Sequence, residues 1–313
     1  MDTQLKTLYI VVPCYNEEEA LPETNDVLLR LLDRLQSCGK ISDSSKICYV
    51  DDGSKDNTWN LISEYCCSRK NVSGIKLSRN RGHQNAVMAG LMTVRTCCDM
   101  AVSIDADLQD DPNVIEQFVD HYLNGCEVVY GVRNDRNSDT SFKRSTAQLY
   151  YRFLELLGVE IIYNHADFRL LGKRALDALA EYGESNLFLR GIVPQLGFKS
   201  AAVEYARSSR NAGQSKYTLA KMLSLASEGV TSFSVKPLRM VSAFSVLLFT
   251  VCVLCWIVNL ISGVSFSEAM ILSVWSACSL ILLAISIIGE YIGRTYIEVK
   301  RRPRYFIDEY INQ

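Results

Sequence analysis

Through roughly the first two thirds of the chain, short apolar runs alternate with stretches whose apolar residues recur every three or four positions. The runs at 7–12, 47–50, 72–77, 100–104 and 128–132 are mostly apolar and rich in β-branched residues, as expected of strands covered on both faces. Between them lie helical patterns. Leu21, Val27, Leu28, Leu31, Leu32 and Leu35 mark 17–37, and similar spacing predicts helices near 57–67, 84–94 and 112–124. Repeated strand–helix units predict an α/β fold, a mostly parallel sheet flanked by helices on both faces. The pattern loosens after residue 143. Helices are expected at 143–157, 173–182 and 186–195 and a strand at 201–205. The run Asp167-Phe168-Arg169-Leu170 fits no assigned element.

The last third of the chain changes character. Residues 219–233 place apolar side chains at helical spacing, which suits a helix lying on a membrane surface. Two uncharged apolar runs follow at 240–261 and 269–289, each close to the roughly 20 residues that cross a bilayer. The link between them holds no Lys or Arg. Lys236 and Arg239 precede the pair, and Arg294, Lys300, Arg301, Arg302 and Arg304 follow it. That asymmetry predicts an integral membrane hairpin with both termini in the cytoplasm. The organisation expected is a cytosolic α/β domain at 1–215, a juxtamembrane helix at 216–236, the hairpin at 237–290 and a basic cytosolic tail at 291–313. Such a tail suits anionic lipid headgroups.

Composition excludes more than it specifies. The chain has 313 residues and a net charge of −2, so no strong field recruits nucleic acid. Eleven cysteines show no paired zinc-type spacing and read as reduced thiols of a cytosolic environment. Residues 8–12 are too short, and lack the basic lead, for a signal peptide. They run into Pro13 and read as a first strand. No Gly-x-Gly-x-x-Gly or Walker-type loop follows that strand, so a dinucleotide or ATP held in the usual manner is not expected.

Candidate chemistry gathers where strands end. After the run 100–104 come Asp105, Asp107 and Gln109. In extended backbone, positions i, i+2 and i+4 share a face, so these three would offer oxygens to one point. Hard divalent cations take such ligands; a solvated acidic turn is the plain alternative. Asp51 and Asp52 end the second strand before Gly53-Ser54, where carboxylates can accept from a nucleobase N–H or ribose hydroxyls, or merely form a turn. Both pairs fall at carboxyl ends of strands, where open α/β sheets bind ligands. Arg207, Arg210, Ser215 and Lys216 precede the membrane-facing segment. They suit a lipid phosphate arriving there, or a patch that grips anionic lipid.

Together the motifs resemble a known family. Val11-Val12-Pro13-Cys14-Tyr15-Asn16-Glu17-Glu18, Val50-Asp51-Asp52-Gly53-Ser54, Asn80-Arg81-Gly82 and Asp105-Ala106-Asp107-Leu108-Gln109 resemble the family 2 glycosyltransferases of the GT-A fold. Asp167-Phe168-Arg169-Leu170, Arg210-x-x-Gly213-x-Ser215-Lys216-Tyr217 and the terminal hairpin narrow the likeness to polyprenyl-phosphate glycosyltransferases. Among these are the bactoprenol glucosyltransferases, with dolichol-phosphate mannose synthases as relatives.

The resemblance implies inverting transfer of a hexose from a nucleotide sugar, UDP-glucose foremost, to a polyprenyl phosphate, with Mg²⁺ or Mn²⁺ as cofactor. Mannosyl, N-acetylglucosaminyl and aminoarabinosyl donors suit similar pockets. It places Pro13, Tyr15, Glu17, Asp51, Asp52 and Asp105 on the donor and Asp105, Asp107 and Gln109 on the metal. Arg169, Arg207, Arg210, Ser215 and Lys216 fall on the acceptor phosphate, and Asp167, Asp107 and Arg210 in catalysis. Asp167 there is a base, an orienter of the acceptor or a sugar contact. Relatives form tetramers, so a homo-tetramer is an expectation. Processive polysaccharide synthases share the catalytic fold but carry Gln-x-x-Arg-Trp, and none of Trp59, Trp256 and Trp275 follows an arginine. A non-catalytic partner of a lipid-sugar flippase would not need the aspartates. His83 reads as an ordinary surface or core histidine.

Overall fold

The computed structural model describes residues 5–133, 165–184, 189–206 and 266–312, together with positions 244, 247, 250, 251, 254 and 257. The expected helices at 143–157 and 219–233 lie outside the described residues. So does the expected first span at 240–261, except for those six positions, which are helical and exposed. The chain divides into two compact units. One comprises Met1–Ala147, Ile161–Lys216 and Pro303–Gln313, the other Gln148–Glu160 and Tyr217–Arg302.

The first unit follows the hydrophobic pattern closely. Strands β1 (Leu8–Cys14), β2 (Lys46–Asp51), β3 (Val72–Leu77), β4 (Met100–Ser103) and β5 (Val128–Arg133) alternate with helices. These are α1 (Leu21–Ser37), α2 (Thr58–Ser68), α3 (His83–Val94) and α4 (Val114–Leu123). Beyond them come β6 (His165–Gly172), α5 (Lys173–Ala180), α6 (Leu189–Gln195) and β7 (Ser200–Tyr205). A last strand, β8 (Ile307–Asn312), closes the chain.

The eight described strands form one sheet in the order β7-β5-β6-β4-β1-β2-β3-β8. The sheet is mixed rather than mostly parallel, as a GT-A-like α/β fold requires. β1 runs parallel to β2 and β4, β2 to β3, and β5 to β7. β6 is the exception that matters: it lies antiparallel between β4 and β5, with Ser103 opposite Arg169. The entry of β6 therefore sits at the carboxyl ends of the parallel strands. The run left without an element by its hydropathy is this central strand.

Pro13 lies inside β1, opposite Val50 of β2. Side alternation turns its missing N–H toward β4, which has already ended at Ser103, so no ladder bond is lost. α1, α2 and α4 cover one face: Leu28, Leu32 and Leu35, Ile62 and Cys66, and Ile115 and Phe118 pack with Leu8, Ile10 and Val12 in one core. α3 lies on the other face, so close that a Cβ on Gly90 would fall 2.3 Å from Val11 Cγ1.

Residues expected to form a free basic tail are partly sheet. β8 pairs antiparallel with β3, Ser73 opposite Asn312, and Lys46 Nζ donates to Asn312 Oδ1 at 2.7 Å. Arg304 donates to the carbonyls of Glu184 and Tyr182. As an edge strand with Asp308 and Glu309, β8 carries the charge that keeps edges from pairing with other chains.

In the second unit, α7 (Phe266–Lys300) is a single helix of 35 residues. It runs unbroken past the expected end of the second span at 289. Within it Leu280–Lys300 is, among the described residues, the stretch long and apolar enough to cross a membrane.

Phe168 of β6 is 1% exposed. Its ring lies 4.7 Å from that of Phe118 and meets Tyr205 edge-on at 5.5 Å, centroid to centroid. Phe168→Ala is expected to lower unfolding free energy by about 3–5 kcal/mol in urea melts followed by circular dichroism. A loss below about 1 kcal/mol would show that β6 is not part of the core.

Candidate active site

Two loop systems meet at the carboxyl edge of the sheet, both within the first unit. The first joins the ends of β1 and β2. Asn16 N–H donates to Ser54 Oγ at 3.0 Å, and Lys55 N–H donates to Asn16 Oδ1 at 2.9 Å. Glu17 N–H donates to Thr58 Oγ1, and Asn57 N–H donates to Glu18 Oε2, each at 2.9 Å. Asn16 has φ 53°, a left-handed conformation that asparagine tolerates. The bracket leaves Tyr15 exposed and Glu17 half-buried, with Pro13 buried beneath.

Asp51 and Asp52 are turned inward, 0% and 3% exposed. Asp51 accepts from Ser54 N–H at 3.2 Å. Asp52 accepts from the N–H groups of Arg81 and Gly82 at 2.7 and 2.8 Å. Burial pushes both carboxyls up, and these hydrogen bonds oppose it. The turn that follows them needs glycine. Gly53 has φ +70°, and a Cβ there would lie 2.6 Å from Asn80 N. Asp52 thus pins the loop that starts α3, and α3 opens with His83.

The second system surrounds the end of β4. The extended geometry that would aim Asp105, Asp107 and Gln109 at one point is not what the chain adopts. β4 stops at Ser103, residues 106 and 107 form a turn, and Leu108 has φ 49°. Gln109 N–H donates to Asp107 Oδ1 at 3.3 Å, and Gln109 itself is 6% exposed. Asp110, which the motif does not single out, anchors the loop. It is 2% exposed, accepts from Tyr205 Oη at 2.7 Å and pairs with Arg133 at 3.2 Å.

The start of β6 brings Asp167 alongside. Ser103 Oγ donates to the Asp167 carbonyl at 2.6 Å. Asp167 Oδ1 accepts from Arg169 Nη2 at 2.6 Å and from Arg190 Nε at 3.2 Å; Oδ2 accepts from Arg190 Nη2 at 3.0 Å. Burial works against ionisation of Asp167. The guanidiniums of Arg190 and Arg169 outweigh it and hold the carboxyl well below the usual range. His83 Nε2 lies 3.7 Å from Asp167 Oδ2 and 3.6 Å from Asp105 Oδ1. At Asp105 the balance is reversed. Burial raises the carboxyl, His83 opposes, and Asp167, Asp110 and Asp107 raise it further.

These positions correct one expectation. Arg169 is 3% exposed, and besides Asp167 it donates to the Leu189 carbonyl at 3.1 Å. Its guanidinium is enclosed by the protein and does not present itself to an acceptor phosphate. Arg207, Arg210, Ser215 and Lys216 lie outside the described residues. Three contributors were not expected. Asp110 and Arg190 carried no motif, and His83 gave no sign beyond its place at a helix start.

Asp105 and Asp107 supply carboxylate oxygens of the kind hard cations take, and the negative charge crowded around Asp105 favours one. No cluster of three or more His, Cys, Asp or Glu with metal-holding geometry occurs among the described residues.

Comparison with known proteins shows the family to which this sheet, with carboxylates gathered at its carboxyl edge, belongs. The sequence profile of Glycosyl transferase family 2 matches residues 9–181. The chain is 51% identical over 306 residues to the uncharacterized glycosyltransferase YkoT of Bacillus subtilis (strain 168), covering 96% of this chain and 91% of that one. It is 34% identical over 305 residues to the prophage bactoprenol glucosyl transferase homolog of Escherichia coli (strain K12), covering 95% and 97%. It is 33% identical over 305 residues to the bactoprenol glucosyl transferase of Shigella phage SfX, again covering 95% and 97%. The chain belongs to glycosyltransferase family 2 and is a glycosyltransferase.

The Asp167 cluster carries a pH signature. The depressed carboxyl contributes stability that is fully present above the unfolded value of about 3.9 and is lost as pH falls below it. Asp167→Asn removes that contribution, so melting temperatures between about pH 5 and about pH 3 should fall less steeply than in the wild type. Parallel profiles would contradict the assignment.

Proposed function

We propose that the chain transfers glucose from UDP-glucose to a polyprenyl phosphate at the cytoplasmic face of a membrane. The observation that carries this reading is the likeness to two bactoprenol glucosyl transferases, at 34% and 33% identity over nearly the whole chain. The apolar stretch Leu280–Lys300 supports a membrane location. The second crossing at 240–261, the cytoplasmic placement of both termini and a homo-tetramer belong to the same proposal.

In this reading the bracketed loops of β1 and β2 receive the nucleotide, with Tyr15 and Glu17 at its surface. Asp105 and Asp107 hold Mg²⁺ or Mn²⁺, and Gln109 completes the motif. Bound there, the cation supplies Lewis-acid neutralisation of the departing nucleoside diphosphate.

The acceptor sets the remaining demands. A phosphate monoester is mostly ionised near neutral pH, so proton removal matters less than for a hydroxyl acceptor. Two anions must still meet, and cations have to offset their repulsion. Arg207, Arg210 and Lys216 are proposed for that role, with Arg190 beside Asp167; Ser215 is proposed as a neutral hydroxyl donor to the acceptor phosphate. The acceptor oxygen attacks the anomeric carbon directly and inverts it, with no covalent enzyme intermediate.

The test uses purified full-length chain in detergent, radiolabelled UDP-glucose and undecaprenyl phosphate, with and without EDTA. Label should pass to lipid, and EDTA should reduce the rate at least about 100-fold, the scale of removing a dominant electrostatic contribution. Transfer undiminished by EDTA would overturn the metal assignment. No transfer to lipid from any hexose nucleotide would overturn the reading.

A further inference from the structure

Two arginines answer the charge of Asp167, and they differ in one respect. Arg169 is sealed inside the protein, 3% exposed. Arg190 has a side chain 40% exposed, yet it too is tied to the carboxylate. Its Nε and Nη2 reach one Asp167 oxygen each, at 3.2 and 3.0 Å. This is a side-on fork between two planar groups, which fixes the plane of the guanidinium as well as its position. A guanidinium held along one edge directs its other edge away from that carboxylate.

The surroundings are built to keep the fork in place. Ser103 Oγ holds the Asp167 carbonyl at 2.6 Å. Arg169 donates to the same Oδ1 and to the Leu189 carbonyl, one residue before Arg190. Leu189 N–H donates to Gln84 Oε1 at 3.1 Å, tying α6 to α3. Three elements therefore converge to set the angle of one partly exposed cation beside Asp167.

We propose that Arg190 is a phosphate ligand of this site and that Asp167 is a positioning residue acting through it, not a group that removes a proton. The inference rests on the glycosyl-transfer reading and deepens it. Both Asp167 oxygens already accept from guanidinium N–H groups, and His83 Nε2 stands 3.7 Å away. Held well below the usual carboxylate range by Arg190 and Arg169 despite its burial, Asp167 is a poor proton acceptor near neutral pH. A guanidinium locked in one plane is what bidentate recognition of phosphate oxygens calls for. Those oxygens belong either to the donor diphosphate or to the acceptor monophosphate.

The experiment titrates full-length protein in detergent with UDP and, separately, with farnesyl phosphate, by calorimetry. The proteins are wild type, Arg190→Ala, Arg190→Lys, Asp167→Asn and the double variant Asp167→Asn/Arg190→Ala. Arg190→Ala should weaken one of the two ligands about 10- to 100-fold, the range for losing a charged hydrogen bond. Weakened UDP places the guanidinium on the donor; weakened farnesyl phosphate places it on the acceptor. Arg190→Lys should recover part of the loss, and Asp167→Asn should weaken the same ligand. The double variant should be no weaker than Arg190→Ala, because a residue acting through another adds nothing once that one is gone.

Retention of both affinities within about twofold in Arg190→Ala overturns the proposal. So does a full additional loss from Asp167→Asn in the Arg190→Ala background. Should Arg190→Ala fail to fold, Arg190→Gln takes its place under the same criteria. Glucosyl transfer by the wild type is read separately. Intact coupling without transfer sinks the catalytic reading and leaves the fork standing; transfer without coupling does the reverse.

Discussion

A carboxylate enclosed beside the end of a sheet has to have its charge answered, and a buried guanidinium has the same need. Asp167 and Arg169 meet each other's need at 2.6 Å, with Arg169 3% exposed. Removing Asp167 would leave the Arg169 charge uncompensated in the interior, which costs about 3–5 kcal/mol; removing Arg169 would leave Asp167 with its fork to Arg190. The pair therefore fixes where β6 can run. With Arg169 opposite Ser103, Asp167 must emerge at the edge where β1, β2 and β4 end. A one-residue slip would turn Phe168 out of the core and drive both charges to the wrong faces.

That register divides the site by charge. Around Asp105 the carboxylates of Asp107, Asp110 and Asp167 accumulate negative potential, the side on which a cation and its phosphates are favoured. Around Asp167 the guanidiniums of Arg169 and Arg190 dominate. His83 stands between, 3.6 Å from one carboxylate and 3.7 Å from the other. It is placed there because Asp52 fastens the loop at Arg81 and Gly82. A motif that reads as nucleotide contact is thus also a strut, and Asp110, clamped by Tyr205 and Arg133, is the strut on the opposite flank. Such fixed groups need little rearrangement when charge develops during reaction.

The parallel part of the fold is legible in the sequence because its strands are mostly apolar runs and its helices keep a clear period. β1 to β5 fall within two residues of their expected limits. β6 is not legible in that way. Asp167 and Arg169 occupy alternate positions of a central strand, and hydropathy alone argues against burying them. Only the ion pair, a tertiary fact, makes the strand possible. β8 escaped for the opposite reason, since Asp308 and Glu309 suit an exposed edge and resemble a solvated tail. Asp105, Asp107 and Gln109 were found by their residue types, but their geometry was not, because the turn at 106–107 and the positive φ of Leu108 leave no hydrophobic trace. Arg190 carries no motif at all and becomes visible only through its distances.

The central claim is that the carboxyl edge at β4 and β6 assembles one glycosyl-transfer site, with its anions and cations in the places described. The most direct measurement is a structure of the full chain with Mn²⁺ and UDP bound, the ion located by anomalous scattering. The account predicts Mn²⁺ within about 2.5 Å of an oxygen of Asp105 or Asp107, the diphosphate on that ion, and Arg190 still forked on Asp167. An ion bound away from both aspartates, or Asp167 released from its two arginines and turned out of the site, would contradict it.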